Sequence, residues 1–172
     1  MKKVIVFIVI AALVLTVTPA LIFSGNNGPA EKATGAVWLG YPVGGNRYVE
    51  FNAHEPKGDE EYGKGSVTWY QWTGTQEWYE VIPTFQLAVK YVNVDGDTAC
   101  FAAGPNPHPT KVWLVMKVKD GGSPATIGDE VSAVWVSTED AAEIAVKSMI
   151  LPTSGLYTYT LIGGNLVVHS YE

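Results

Sequence analysis

The chain has 172 residues, 47% of them hydrophobic, with 11 Lys and Arg against 17 Asp and Glu, a formal net charge of −6 and one cysteine. That length and apolar share suit one packed domain plus an additional segment. Scattered cations on an acidic chain argue against a nucleic-acid surface, which needs clustered Lys and Arg, and a lone cysteine excludes an intrachain disulfide and a multi-thiolate metal site.

Lys2 and Lys3 precede an uncharged run over 4–23, 20 residues that reach roughly 30 Å as a helix. Two outcomes fit. Thr18-Pro19-Ala20 reads as the cleavage site of a secretory signal, with Pro19 breaking the apolar helix. Retained, the run is an N-terminal membrane anchor whose lysines stay in the cytoplasm. Residues 1–24 are therefore expected as signal peptide or anchor, and either outcome places the rest outside the cytoplasmic membrane. Residues 25–33, small and polar with Gly25, Gly28 and Pro29, read as a flexible linker. The folded domain is expected over 34–172.

Strands are expected at 34–41 and 47–54, around a turn containing Gly44 and Gly45. In the second, Val49, Phe51 and Ala53 alternate with Tyr48, Glu50 and Asn52, so one face is apolar. Residues 55–64, with Pro56, Gly58, Gly63 and four acids, form a solvated loop. A strand over 65–72 sets Val67, Trp69 and Gln71 against Thr68, Tyr70 and Trp72. A loop with Gly74 then leads to Trp78-Tyr79 and to Val81-Ile82-Pro83. After a strand at 85–94, Asp95-Gly96 is the strongest hairpin signal in the chain, with 97–103 as partner. There Cys100 is expected as a small buried hydrophobe. Three prolines keep 104–109 irregular.

Residues 111–136 organise the domain, because two runs with Val or Trp at alternate positions flank Asp120-Gly121-Gly122 and read as adjacent antiparallel strands. Trp113 and Trp135 are expected to be buried there. The single helical window is 138–149, capped by Ser137 or Thr138, with Glu139 and Asp140 in its first turn and Ile144, Met149 and alanines on its apolar side. A closing hairpin is expected from 156–162 and 166–170 around Gly163-Gly164-Asn165. The sum is an all-β domain: a single antiparallel β-sandwich or partly open barrel of about nine strands with one short helix.

Four phrases resemble, in order, the post-COAP domain of secreted bacterial and archaeal surface proteins: Val49-Glu50-Phe51-Asn52-Ala53; Gly65-Ser66-Val67-Thr68-Trp69; Asp120-Gly121-Gly122 with Gly128-Asp129-Glu130-Val131-Ser132; and Gly163-Gly164-Asn165-Leu166-Val167-Val168-His169. The resemblance covers most of 34–170. It implies an extracellular β module of unassigned activity, often joined to other surface domains, and it brings no catalytic residues. The Trp-rich segment and the helix at 138–149 depart from the family pattern.

Chemistry-bearing residues are sparse. His54, His108 and His169 lack helical ligand spacing, and Gly65-Ser66 lacks the Gly-x-Ser-x-Gly frame of a nucleophile elbow. No catalytic residue or cofactor is nominated. Asp95, Asp97, Asp120 and Asp129 offer hard oxygens for calcium, but Asp beside Gly is first of all turn chemistry. Among six Trp and nine Tyr, Trp38, Trp69, Trp113 and Trp135 are assigned to the core. Tyr70, Trp72, Trp78 and Tyr79 are the candidate binding surface, as flat rings that stack on sugars or pack a partner protein. The functional expectation is a non-enzymatic cell-surface module that binds protein or glycan or serves as a spacer, held at the membrane if the leader is uncleaved. The alternative is an extracellular hydrolase, or an accessory domain of one, which requires a pocket where a histidine meets a carboxylate or hydroxyl.

Overall fold

The computed structural model describes residues 30–40, 47–75, 78–106, 112–122 and 128–171. Among the described residues eight strands follow one another: β1 (Lys32–Gly40), β2 (Arg47–His54), β3 (Lys64–Thr75), β4 (Trp78–Asp95), β5 (Thr98–Ala103), β6 (Trp113–Lys119), β7 (Glu130–Val136) and, after helix α1 (Glu139–Ser148), β8 (Tyr157–His169). Each pairs antiparallel with its sequence neighbour, and β8 returns to β1 to close a barrel. Closure pairs the outer strands and removes the exposed edges an open sheet would carry. The leader lies outside the described residues, and among the described residues no helix is long and apolar enough to cross a membrane. Lys32 and Ala33, expected in the linker, belong to β1, where Ala33 is fully buried.

Alternation decides the interior. Val37, Val49, Val67, Phe101, Met116 and Val131 all point inward and are fully buried, and an eight-stranded barrel is just wide enough for side chains to fill. The Phe51 and Phe101 rings meet at 5.3 Å across the lumen. Gly35 makes this possible, since a Cβ there would stand 2.4 Å from the Phe51 ring.

The antiparallel β class with one short helix is as expected, and two strands run longer than the sequence signals. β4 is continuous through Pro83. Its register against β3 shifts between Trp69 and Tyr70, whose partners are Phe85 and Pro83, so the proline sits beside a bulge, where a missing ladder donor is tolerated. The closing hairpin expected at Gly163-Gly164-Asn165 is instead the middle of β8. Gly164 has φ +105°, and a Cβ there would lie 2.2 Å from the Ala36 carbonyl oxygen. The glycine serves a close backbone approach to β1 rather than a turn.

A second apolar layer lies outside the barrel. α1 packs Ala142, Ala145 and Val146 onto Cys100, Ala102, Trp113, Val115 and Val134, so β5 and β6 are covered on both faces. Trp113 is buried at 4% exposure, under the helix and not in the lumen. Trp135, expected to be buried, is 38% exposed, and Ile144, expected on the apolar side of the helix, is 66% exposed. The buried stripe of α1 is the Ala142, Ala145, Val146 face, which turns Ile144 outward.

The helix is held at both ends. Thr138 Oγ1 accepts from the Ala141 N–H at 3.2 Å, the N-cap bond that satisfies one of the free first-turn donors. At the other end Asn93 Nδ2 donates to the carbonyls of Val146 and Lys147, each at 3.2 Å, and Lys117 Nζ donates to that of Met149 at 2.9 Å. Glu139 receives hydrogen bonds from Lys90 and from the Tyr91 hydroxyl. Those bonds lower the Glu139 carboxyl below its ordinary range, while burial and the Glu139 bond push the Tyr91 hydroxyl up to about 12.

Candidate ligand site at the barrel mouth

The two ends of the barrel differ. At the end where β1 begins, side chains tie down the connections: Glu55 Oε1 accepts from the Val94 N–H at 2.7 Å, Asp129 Oδ1 from Gly121 at 2.8 Å, and Asp120 Oδ2 from Val168 at 3.1 Å. Partial burial raises the Glu55 carboxyl against the pull of its Val94 bond. This end is closed.

At the opposite end inward positions of several strands converge. Arg47 opens β2; Trp69 lies midway along β3 and Phe85 midway along β4, opposite each other beside the register shift, Trp135 lies near the end of β7, and Tyr157 and Tyr159 at the start of β8. Together they line a cup of about 300 Å³ floored by Leu114 and Ala133. The rings form a continuous chain: Trp69 stacks on Phe85 at 5.9 Å with planes 20° apart, Phe85 meets Trp135 edge-on at 5.4 Å, and Trp69 meets Tyr159 edge-on at 5.9 Å. The cup opens because β7 and β8 pair only from Val131–Tyr159 to Ala133–Tyr157. Beyond Ala133 the ladder of β7 continues with β6. Trp135 therefore faces inward by alternation yet stands at an unsealed rim, which explains its exposure. Arg47 is the only arginine in the chain, and the side chain of Gln71, its partner across the β2–β3 ladder, lies outside the described residues.

Of the nominated aromatic residues, only Tyr70 has a described side chain. Tyr70 stands on the outer barrel face in a row with Tyr48 and Trp38, ring centroids 5.4 and 4.9 Å apart. Its hydroxyl donates to Glu50 Oε2 at 2.8 Å, and that bond, with some burial, raises its pKa. The loop expected between Trp72 and Trp78 is mostly strand: Trp72 pairs with Val81, Gly74 with Tyr79 and Thr75 with Trp78. The side chains of Trp72, Trp78 and Tyr79 lie outside the described residues. Of the four core tryptophans, Trp113 is buried, Trp38 and Trp69 are half-buried, and Trp135 is at the mouth.

His54 lines an open groove of about 920 Å³ with Lys32, Lys57, Glu55, Glu60 and Tyr171. Among the described residues no hydrogen bond joins it to a carboxylate or hydroxyl. Glu60 binds Lys64 and the Lys57 N–H, and Glu55 holds Val94. Partial burial and the charges of Lys32 and Lys57 lower the imidazole pKa. His169 pairs with Lys32 across the β1–β8 ladder, and His108 lies outside the described residues. Asp120 and Asp129 spend oxygens on backbone N–H groups, and Asp97 Oδ1 accepts from Thr98 Oγ1. Among the described residues no group of three or more His, Cys, Asp or Glu is placed to hold a metal ion. Cys100 is fully buried, and burial pushes its thiol up to about 12.

Sequence reasoning missed the cup because it spent Trp69 and Trp135 on the core and gave Arg47 no role. The usable signal was that Arg47, Trp69, Phe85, Trp135, Tyr157 and Tyr159 share the inward alternation of their strands, legible once a simple up-and-down strand order is assumed. No family model, curated protein or solved structure matches the chain, and the resemblance to the post-COAP domain rests on its own motifs.

Proposed function

We propose that this protein is a non-enzymatic binding module, working outside the cytoplasmic membrane, whose site is the aromatic cup at the barrel mouth. One observation carries the reading: an inward-facing tryptophan, Trp135, remains 38% exposed at the end of a chain of rings. Large apolar rings left open to water in a concave site mark a place where a ligand replaces that water. An eight-stranded barrel is also of the size that holds one small molecule. The cup volume lies at the low end of ligand pockets, which suits a flat ligand of a few fused or linked rings.

The leader supports the location, since both its outcomes export the domain. β1 starts at the end opposite the cup, so a retained anchor would leave the cup facing away from the membrane. Protein and glycan partners remain within the proposal through the outer row at Tyr70.

The test is titration of the full chain with naphthalene-ring probes, followed by tryptophan fluorescence and calorimetry. Saturable binding at one site per chain, lost in Trp135→Ala and kept in Ile144→Ala, is the expected result. Binding that survives Trp135→Ala would move the site elsewhere.

A further inference from the structure

We infer that residues 153–156 form a strap that zips onto the end of β7 and closes the cup over a bound ligand. This rests on the binding reading above and adds how the site opens and closes.

The ladder between β7 and β8 stops before β7 does. Its rungs are Val131–Tyr159, Ser132–Thr158 and Ala133–Tyr157. Beyond them Val134, Trp135 and Val136 continue β7 and pair, among the described residues, with β6 alone. Continuing the β7–β8 register would set Leu156 opposite Val134, Gly155 opposite Trp135 and Ser154 opposite Val136. The faces already agree. Side chains alternate along a strand, so with Tyr157 and Tyr159 lining the cup Leu156 belongs on the outer face. It already packs there, against the layer under α1 that holds Val134 and Val136. Gly155 would take the inward place opposite Trp135 and bring no side chain into the cup.

What keeps 153–156 out of the sheet is local and weak. Gly155 stands at φ +74°, and the turn is closed by the Leu156 N–H donating to the Thr153 carbonyl at 3.4 Å, longer than an ordinary N–H···O bond. Pro152, Thr153, Ser154 and Gly155 are all exposed. Glycine adopts positive and negative φ about equally, so Gly155 serves as the hinge between turn and strand. The strap is fixed on both sides, by Leu151 buried beneath α1 and by Tyr157 in the last rung. Closing it orders exposed residues, which opposes the change in the empty protein. A ligand shifts the balance only by binding the closed form better, and the closed strap adds a wall beside Trp135, which is 38% exposed in the open form.

The strap makes a destabilising substitution tighten binding. Alanine disfavours a left-handed backbone by a factor of roughly five to thirty and accepts an extended one, so Gly155→Ala penalises the open form alone. The full-length variant should melt at a lower temperature than the native chain and bind 2-naphthoate several-fold tighter. Unchanged or weaker binding overturns the strap and leaves the cup as a binding site. If the variant fails to fold, the native chain decides by NMR. Cross-strand nuclear Overhauser contacts between Trp135 and Gly155, absent in the free protein, should appear when 2-naphthoate saturates the site, and saturation without them overturns the strap. No saturable binding of 2-naphthoate to the native chain overturns both proposals.

Discussion

Two tryptophans one strand apart should respond differently to truncation, because one is sealed under a helix and the other lines an open mouth. A Trp side chain buries roughly 200 Å², and at about 25 cal/mol per Å² its full burial contributes about 5 kcal/mol. Trp113, at 4% exposure, has nearly all of that to lose. Its removal also leaves a cavity between β6 and α1 that their packing cannot easily close. Trp135, at 38% exposure, has about three fifths to lose, and water already reaches its site, so the cavity term is absent. Residual compactness of the unfolded chain lowers both figures. Trp113→Ala should therefore cost about 3–5 kcal/mol and Trp135→Ala about 2 kcal/mol. Chemical denaturation followed by far-UV circular dichroism, with the slope m compared between variants, reads both without relying on the deleted fluorophores. Equal costs, or a larger cost at Trp135, would refute the assignment of Trp113 to a helix-covered layer and of Trp135 to the rim.

Other outcomes follow from the same geometry. Gly164→Ala must place a Cβ against the Ala36 carbonyl at φ +105°, whereas Gly96→Ala at φ +58° meets nothing within 4 Å. The first should cost clearly more than the roughly 1–2 kcal/mol of a left-handed alanine; equal costs would show that β8 does not pass this close to β1. The Glu139 carboxyl is held below its ordinary value of 4.5 by its bonds from Lys90 and Tyr91. The unfolded chain thus binds more protons in that window. The stability this group contributes is complete above about pH 4.5 and lost as pH falls through the lower folded value. Glu139→Gln should flatten that part of the acid unfolding curve, and an unaltered curve would show the latch is not formed. Cys100, buried with its thiol pushed up to about 12, should react with a thiol reagent only as fast as the protein opens. Complete labelling of the native protein within the mixing time would contradict its place beneath α1.

Much of the fold was legible because local chemistry and tertiary need agreed. Asp95-Gly96 makes the β4–β5 turn, with Asp95 paired to Thr98. Thr138 caps the helix. The two runs within 111–136 pair from Trp113–Val136 to Lys119–Glu130. Where the reading failed, one residue type answered two different needs. Gly163 and Gly164 read as a turn because glycine permits one, but a backbone passing within van der Waals range of β1 demands glycine equally. The alternation starts a strand at 85, yet a bulge beside Pro83 lets β4 run on from Trp78. Alternation says that Trp135 points inward. It cannot say at what height along the barrel axis a residue lies, and that height decides whether inward means buried. The cup was hidden for the same reason, since Arg47, Phe85, Trp135 and Tyr159 come from four different strands and meet only on closure.

The most direct test of the cup is the set of tryptophan indole N–H resonances of the ¹⁵N-labelled full chain during titration with 2-naphthoate. If the cup is the binding site, Trp69 and Trp135 shift together and saturably while Trp113, beneath the helix, stays in place. A shift confined to other tryptophans, or no shift at all, would contradict it.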